Sequence, residues 1–174
     1  MPRIRSINDT DRQRLREQLT ADWGSTRVAT RGRLVDAAAL PGFLVEEGGE
    51  WLGYAAYELR DTELEVTVIE SLAPGRGVGG ALLAECVRAA QAAGATRVLL
   101  VTTNDNMAAL RFYQRRGFVL VALRPGAVDD ARRTLKPEIP ERGNDDIPIH
   151  DEIELELPVA AWPEFVERHK WPST

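Results

Sequence analysis

The spacing of apolar residues changes period once along the chain, and the change separates two kinds of element. Residues 10–20 (TDRQRLREQLT) place Leu15 and Leu19 four apart behind Asp9 or Thr10, which predicts a short amphipathic helix capped by one of those two residues. A loop-like stretch with Trp23 and Gly24 follows. Residues 42–46 (GFLVE) and 51–59 (WLGYAAYEL) read as strands on either side of the turn Glu47-Gly48-Gly49-Glu50, so they predict a hairpin. Residues 63–72 (ELEVTVIESL) predict a third strand reached through Arg60-Asp61-Thr62, which makes this half an antiparallel meander. From Val78 the period becomes 3.6, with Val78, Leu82, Leu83, Cys86, Val87 and Ala90 forming one stripe that ends at Gly94 as C-cap.

The later pattern is denser. Residues 97–101 (RVLLV) are a compact apolar run, the mark of a buried strand lying parallel to residues 63–72 across a helical crossover. Residues 104–116 predict a helix stopped by Gly117, and residues 118–123 (FVLVAL) another strand. The final strand is expected at 152–157 (EIELEL), antiparallel to 118–123, with residues 124–150 as a long insertion holding four prolines, Gly126 and Gly143. Beyond Pro158 two Trp-Pro pairs and one helical turn around Phe165 make a tail. The expected organisation is one domain over residues 1–160 and a C-terminal tail over 161–174, with no internal repeat. Its fold class is α/β, a mixed and mostly antiparallel twisted sheet with helices on both faces.

Within residues 63–72 the alternation breaks. Glu63, Glu65 and Thr67 share one side and Leu64, Val66 and Val68 the other, yet Ile69 and Glu70 invert the phase. An apolar side would have to take in Glu70 unless one extra residue slips the register, so a β-bulge is expected near Val68 and Ile69. A bulge also splays this strand from RVLLV and frees backbone amides.

Composition narrows the chemistry. The 174 residues suit one domain and a little over. A single cysteine and two histidines disfavour a disulfide scaffold and cysteine- or histidine-rich metal centres, so no metal is expected. No apolar run approaches a membrane span and the polar opening lacks a signal-peptide core, so neither membrane nor leader is expected and the default compartment is the reduced cytoplasm. Net charge is −5, which argues against nucleic acid as a partner. Residues 34–70 carry nine acids against one arginine, whereas residues 71–124 carry seven arginines against two acids. An anionic ligand held centrally and a cationic one beside it would fit that pattern.

Between the third strand and the helix lies Gly75-Arg76-Gly77-Val78-Gly79-Gly80. Glycines permit a tight turn and close ligand approach, and the helix N-terminus presents unpaired amides, so the chemistry is a phosphate cradle. Gly75, Gly77 and Gly80 also match G-x-G-x-x-G, which raises a Rossmann dinucleotide site as an alternative. Three features oppose it: the preceding strand alternates, Asp105 sits late, and too few βα repeats follow. A P-loop is excluded because no Gly-Lys-Ser/Thr follows.

At this point the sequence resembles the GNAT superfamily of N-acetyltransferases through two motifs. Residues 74–79 (PGRGVG) resemble its Q/R-x-x-G-x-G/A acetyl-CoA pyrophosphate loop, with Pro74 in place of the first side chain. Asn106, Ala109, Phe112, Tyr113, Gly117 and Phe118 resemble its N-x-x-A-x-x-(F/L)-Y-x-x-x-G-F helix. The likeness spans residues 1–123 and resumes at the last strand. It implies acetyl-CoA as cosubstrate, held by Ile69, Ser71, Leu72, the loop from Gly75 to Gly80 including Arg76 and Val78, and by Asn106, Ala109 and Phe112. It implies a small-molecule or peptide amine as acceptor and direct attack without an acyl-enzyme, with Tyr113 as the general acid that protonates the departing thiolate. Asn106 and Tyr113, seven apart on a helix, would share a face about 10.5 Å apart along the axis. The base that takes the amine proton comes from Glu63, Glu65 or Glu70. Glu63 sits by count at the position of the family's histone-type base, and Glu65, one pleat nearer the thioester, is preferred. Cys86 on an apolar stripe is expected to be an inert core thiol and His150 a surface histidine. A non-catalytic acyl-CoA-sensing module is the rival from another class. Acceptor identity and oligomeric state stay open, a homodimer included.

Overall fold

Asn8 starts the first helix. Its side chain accepts from the Thr10 amide at 2.9 Å while the Asp11 carboxylate accepts from the Asn8 amide at 2.8 Å, a reciprocal capping box around a short 3-10 turn. The cap therefore falls one or two residues before the expected Asp9 or Thr10. In the computed structural model, which describes residues 1–169, the elements run β1 (Arg3–Ser6), α1 (Arg12–Trp23), β2 (Arg27–Thr30), β3 (Arg33–Asp36), β4 (Gly42–Glu47), β5 (Glu50–Arg60), β6 (Glu63–Ser71), α2 (Val78–Ala92) and β7 (Arg97–Thr103). They continue with α3 (Met107–Gln114), β8 (Val119–Arg124), α4 (Ala127–Thr134), β9 (Glu152–Pro158) and α5 (Trp162–His169). The second expected Trp-Pro pair, at 171–172, lies outside the described residues.

The described residues separate into two compact units, 1–28 with 36–98, and 29–35 with 99–169. In the first unit the strands order β1-β4-β5-β6, every neighbour antiparallel. Leu15 and Leu19 of α1, fully buried, pack with Leu44, Tyr54, Ala56 and Val68 on one face. Each such leucine contributes about 1.5–3 kcal/mol of burial. The opposite face carries α2, whose Val78 and Leu82 come so close to Gly53 that a Cβ there would sit 2.5 Å from Val78 Cγ1. Thr96 N–H donates to the Thr62 carbonyl at 2.8 Å and Arg97 pairs with Glu63, so β7 starts beside the start of β6, as a parallel neighbour reached through a helix must.

The second unit orders β7-β9-β8, and β8 pairs antiparallel with β9 from Val119↔Glu156 to Arg124↔Glu152, the expected hairpin. Its connection is structured. Gly126 in the left-handed region starts α4, with Asp129 and Asp130 in the first turn and Arg132 and Arg133 in the last, both i,i+3 pairs closing at 2.6 Å. That order of charge complements the helix dipole. The remainder of the insertion is tied down by Asn104, which accepts from the His150 and Asp151 amides, and by Asp105, which accepts from the Asn144 amide and side chain. The β2–β3 hairpin turns at Arg31-Gly32, both at positive φ, as a two-residue primed turn requires. Helix α5 stacks Trp162 on Phe165, and Phe165 lies over Gly117, so two full turns replace the single turn expected there. Among the described residues no helix is long and apolar enough to cross a membrane.

Gly53 fixes the distance of α2 from its sheet. Replacing it with Ala presses a methyl on Val78 and on the Glu70 carbonyl 2.6 Å away. The expected loss is about 1–3 kcal/mol, the usual cost of overpacking, seen as a lower urea midpoint with unchanged slope.

Candidate active site

Strand β6 carries the bulge. Val68 pairs with Ala56 and Val66 with Tyr57, so Thr67 is the extra residue, one position before the expected Val68–Ile69 step. On either side of it the register puts Glu63, Glu65, Val68 and Glu70 on one face with Tyr54, Ala56 and Glu58, and Leu64, Val66 and Ile69 on the other with Ala55 and Tyr57. Three glutamates expected as candidates thus share a face, yet their surroundings differ. Glu63 is held by Arg97 at 2.6 Å. Glu65 is buried, opposite Glu58. Glu70 is half-buried opposite Tyr54, and burial together with the nearby Asp22 carboxylate raises its pKa above the ordinary range, against the Ser71 amide that lowers it.

Reasoning from sequence missed the residues around Glu70. Tyr54 is fully buried and its hydroxyl donates to Asp22 Oδ2 at 2.8 Å. Burial first, then the bond to Asp22, pushes the phenol far up, so it remains a neutral donor. Gln18 Nε2 donates to both Asp22 oxygens at 3.0 Å. No local sequence signal links these residues, because Tyr54 meets Glu70 only through a register that the bulge sets.

The glycine segment leads from β6 into α2. Leu72 N–H extends the ladder to the Leu52 carbonyl, and its side chain packs against the core of the first unit. Gly75 and Gly77 stand at φ +79° and +76° with open space where a Cβ would be, so the requirement is conformational rather than steric. Gly77 is the N-cap of α2 and offers no side chain to the first-turn amides, and that turn holds no acid. Val78 and Gly80 are buried while Gly75, Arg76 and Gly77 are exposed. Arg76 reaches Glu47 of the β4–β5 turn at 2.7 Å, and this pairing holds Glu47 below the usual carboxylate range. Such a loop can hold a phosphate on backbone donors. Cys86 is fully buried and burial pushes its thiol up to about 12, which leaves it inert as expected.

The second unit holds the other motif. Asn106 is the N-cap of α3 rather than a residue within a helix starting at 104, and its side-chain oxygen accepts from the Ala109 amide at 3.0 Å. Its side-chain nitrogen takes no part in that cap. Tyr113 is buried, edge-on to Phe112 with centroids 5.0 Å apart and tilted against Phe118 at 5.6 Å. Arg116 lies over the Phe112 ring at 3.6 Å.

A family model described as the Acetyltransferase (GNAT) family matches residues 7–118, and the chain belongs to that family. It is 37% identical over 147 residues to the uncharacterised protein YdhI of Bacillus subtilis (strain 168), covering 84% of this chain and 91% of YdhI. It is 34% identical over 134 residues to YxbD of the same organism, covering 76% and 84%. Among solved structures, IAA acetyltransferase from Bacillus cereus ATCC 14579 superposes with a TM-score of 0.70 at 19% identity, covering 91% of this chain and 99% of that one. A GNAT family acetyltransferase from Elizabethkingia anophelis with acetyl-CoA bound gives 0.62 at 18% identity, covering 90% and 97%. These likenesses give the fold, a mixed and mostly antiparallel α/β architecture, as expected from the sequence.

The role of Asn106 as a cap is separable from any contact with ligand. Asn106→Ala is expected to cost about 1 kcal/mol of stability, and Asn106→Ser to retain most of it, because a hydroxyl also caps. Equal losses in thermal unfolding would show that the cap contributes nothing.

Proposed function

We propose that this protein transfers an acetyl group from acetyl-CoA to an amine by direct attack, with Glu70 as the base and Tyr113 as the acid. The observation that carries the reading is the left-handed Gly75–Gly77 turn opening α2 with uncapped first-turn amides, in a chain of the GNAT family. Those residues suit a pyrophosphate, since the backbone supplies donors and the dipole of α2 supplies partial positive charge. On the family motifs, the residues expected to meet the cosubstrate are Ile69, Ser71, Leu72, Arg76, Val78, Gly79 and Gly80 in the first unit and Asn106, Ala109 and Phe112 in the second. Acetyl-CoA brings the activated thioester; the chain's own groups manage the protons.

An amine attacks only when neutral. Of the three glutamates, Glu63 is engaged with Arg97 and Glu65 is sealed from solvent, whereas Glu70 is reachable and has a raised proton affinity. This favours Glu70 over Glu65. Glu70 takes the proton from the ammonium, the nitrogen lone pair forms the bond to the thioester carbon, and the C–S bond breaks. The electron pair leaves on sulfur, which takes its proton from the Tyr113 hydroxyl. The nitrogen of the collapsing intermediate gives up its second proton, which restores the phenol through solvent and leaves a neutral amide, and Glu70 releases the first proton to solvent. The acceptor side of this chemistry suits cationic small molecules or basic peptide N-termini, given the acidic residues of β5 and β6.

Acetyl-CoA at 100 times its dissociation constant is expected to stabilise the protein by about 2.7 kcal/mol, read as a rise in melting temperature. Bulky residues at Gly77 and Gly79 together are expected to abolish that rise, and an unchanged shift would overturn the placement. Thiol release tests the two proton carriers. Glu70→Gln is expected to lower turnover by about 10²–10⁴, the range for general acid–base catalysis. The wild-type acid limb of kcat/KM is expected above the ordinary carboxylate range, because the ionised form is the base and its pKa is raised. Tyr113→Phe is expected to cost about 10² at pH 7, less as pH rises past the thiol pKa near 8.5. Unchanged turnover in the Phe variant would remove Tyr113 from the mechanism.

A further inference from the structure

Residues 124–150 interrupt the β8–β9 hairpin, and two consecutive side chains between β7 and α3 hold them. Asn104 accepts from the His150 and Asp151 amides through its side-chain oxygen, and its side-chain nitrogen donates to the Pro148 carbonyl at 2.9 Å. Asp105 is 3% exposed. One of its oxygens accepts from the Thr103 hydroxyl, and the other accepts from both the backbone amide and the side chain of Asn144 at 2.8 Å each. Burial disfavours an ionised carboxyl, but the bonds from Thr103 and Asn144 outweigh it and hold Asp105 below the usual carboxylate range. Two of those bonds come from the insertion, so lifting it away would leave a buried anion short of donors, a costly state.

The fit is equally close on the insertion's side. A Cβ on Gly143 would sit 2.1 Å from Asp105 Oδ2, and Gly143 stands at φ −121°, so the carboxylate rather than a left-handed backbone keeps a side chain out. The residues around it close on themselves. The Gly143 amide donates to the Ile147 carbonyl at 3.0 Å, the Ile149 amide to the Glu141 carbonyl at 2.9 Å, and Arg142 to the Asp146 carbonyl at 2.6 Å. A segment braced in this way presents Asn144 to Asp105 as a fixed pair of donors. Asp105 in turn adjoins the motif asparagine. The Asn106 amide donates to the Thr103 carbonyl and the Met107 amide to the Asp105 carbonyl, both at 3.0 Å, so the carboxylate and the turn that starts α3 share one stretch of backbone. With Asn104 and Asp105 both tied to the insertion, the place of Asn106 follows from where the insertion sits.

We propose that Asp105 is a positioning residue for the cosubstrate: docked under Gly143 and Asn144, it lets the 124–150 insertion set the place of Asn106 and of the first turn of α3. The inference rests on the reading of Asn106 as a contact of acetyl-CoA, and deepens it by giving the insertion a part in cosubstrate affinity. Asp105 acts through Asn106 and not on the reacting atoms.

Gly143→Ala in the full-length protein is the probe, a methyl wedge driven in from the insertion's side of the contact. Without ligand, hydrogen exchange is expected to quicken at the Ala109 and Leu110 amides, which donate to Asn106. Titration calorimetry is expected to show acetyl-CoA bound about tenfold more weakly, within the usual range for coupling between separate positions. Asp105→Ala is expected to weaken binding by a similar factor. Asp105→Asn is expected to restore most of it, because an amide oxygen still accepts from Asn144 while the amide nitrogen donates to Thr103. In the Asp105→Ala background Gly143→Ala is expected to add less than about twofold, since the space of the lost carboxylate takes the methyl and the two changes remove one contact. If Gly143→Ala does not fold, Asn144→Ala, which deletes the side-chain donor alone, carries the same test with a smaller loss. Unchanged affinity in Gly143→Ala and Asp105→Ala alike would overturn the inference and leave the reading of the cosubstrate site standing. A full second loss in the double variant would overturn it too, as the mark of an insertion that meets the ligand independently of Asp105. Wild type that binds no acetyl-CoA would overturn that reading, and the inference with it.

Discussion

One extra residue in β6 governs the candidate site. A strand alternates sides with a period of two, so if Thr67 took an ordinary place in the ladder the side chains of Glu63 and Glu65 would face one way and Glu70 the other. Because the pairing skips Thr67, Glu70 lies on the face that carries Tyr54 and α1, while Ile69 lies on the side of Ala55 and α2. The apolar demand of both faces is met, and the one acid that would have been buried under α2 is delivered to the side where Asp22 and Tyr54 stand. Packing and chemistry are satisfied by the same irregularity.

The bulge also explains why the electrostatics divide as they do. Upstream of it Glu63 is tied to Arg97 at the start of β7, a structural pairing that anchors the beginnings of two strands. Downstream, Glu70 has no such partner, and its neighbours are a neutral phenol and a second carboxylate. Burial and like charge act in the same direction on Glu70, toward holding a proton more strongly. Acids only seven positions apart on one strand therefore play unlike parts, and the difference lies in what faces them rather than in the residue type.

Much of this was legible beforehand. The meander of β4, β5 and β6, the stripe of α2 from Val78 to Ala90, the parallel β7 and the β8–β9 hairpin all follow from periodicity, because each buries one continuous apolar face. The bulge followed from a phase conflict, off by one residue because Thr67, Val68 and Ile69 are all good strand formers and the alternation cannot say which of them is skipped. The elements missed are short or charge-coded. β1, β2 and β3 have four residues each, too few to show a period, and the Arg31-Gly32 turn lacks the usual Asn-Gly or Asp-Gly. Helix α4 was hidden among prolines, although Asp129-Asp130 followed by Arg132-Arg133 was a readable signal. Asn106 belonged to the motif but not to the helix, since an Asn whose oxygen meets the amide three residues on ends the strand-side loop rather than extending the turn.

The charge segregation along the chain gains a physical meaning from these placements. The glycine turn and α3 fall in the stretch with seven arginines against two acids, and β5 and β6 in the stretch with nine acids against one arginine. A cosubstrate bearing phosphates and an acceptor bearing ammonium groups would attract each other's recognition residues if these were interleaved, and each site would then be partly neutralised by its own protein. Keeping the acids on β5 and β6 and leaving the glycine turn and α3 without any acid limits that cancellation. Two arginines cross that division, Arg97 to Glu63 and, in the glycine turn itself, Arg76 to Glu47 at 2.7 Å. Arg76 and Glu47 are both substantially exposed, so that pair is weak and easily exchanged. Under the proposed function, a phosphate arriving at the turn takes the guanidinium from Glu47 at little cost, and Arg76 serves as a cation held in reserve beside the backbone donors of the turn.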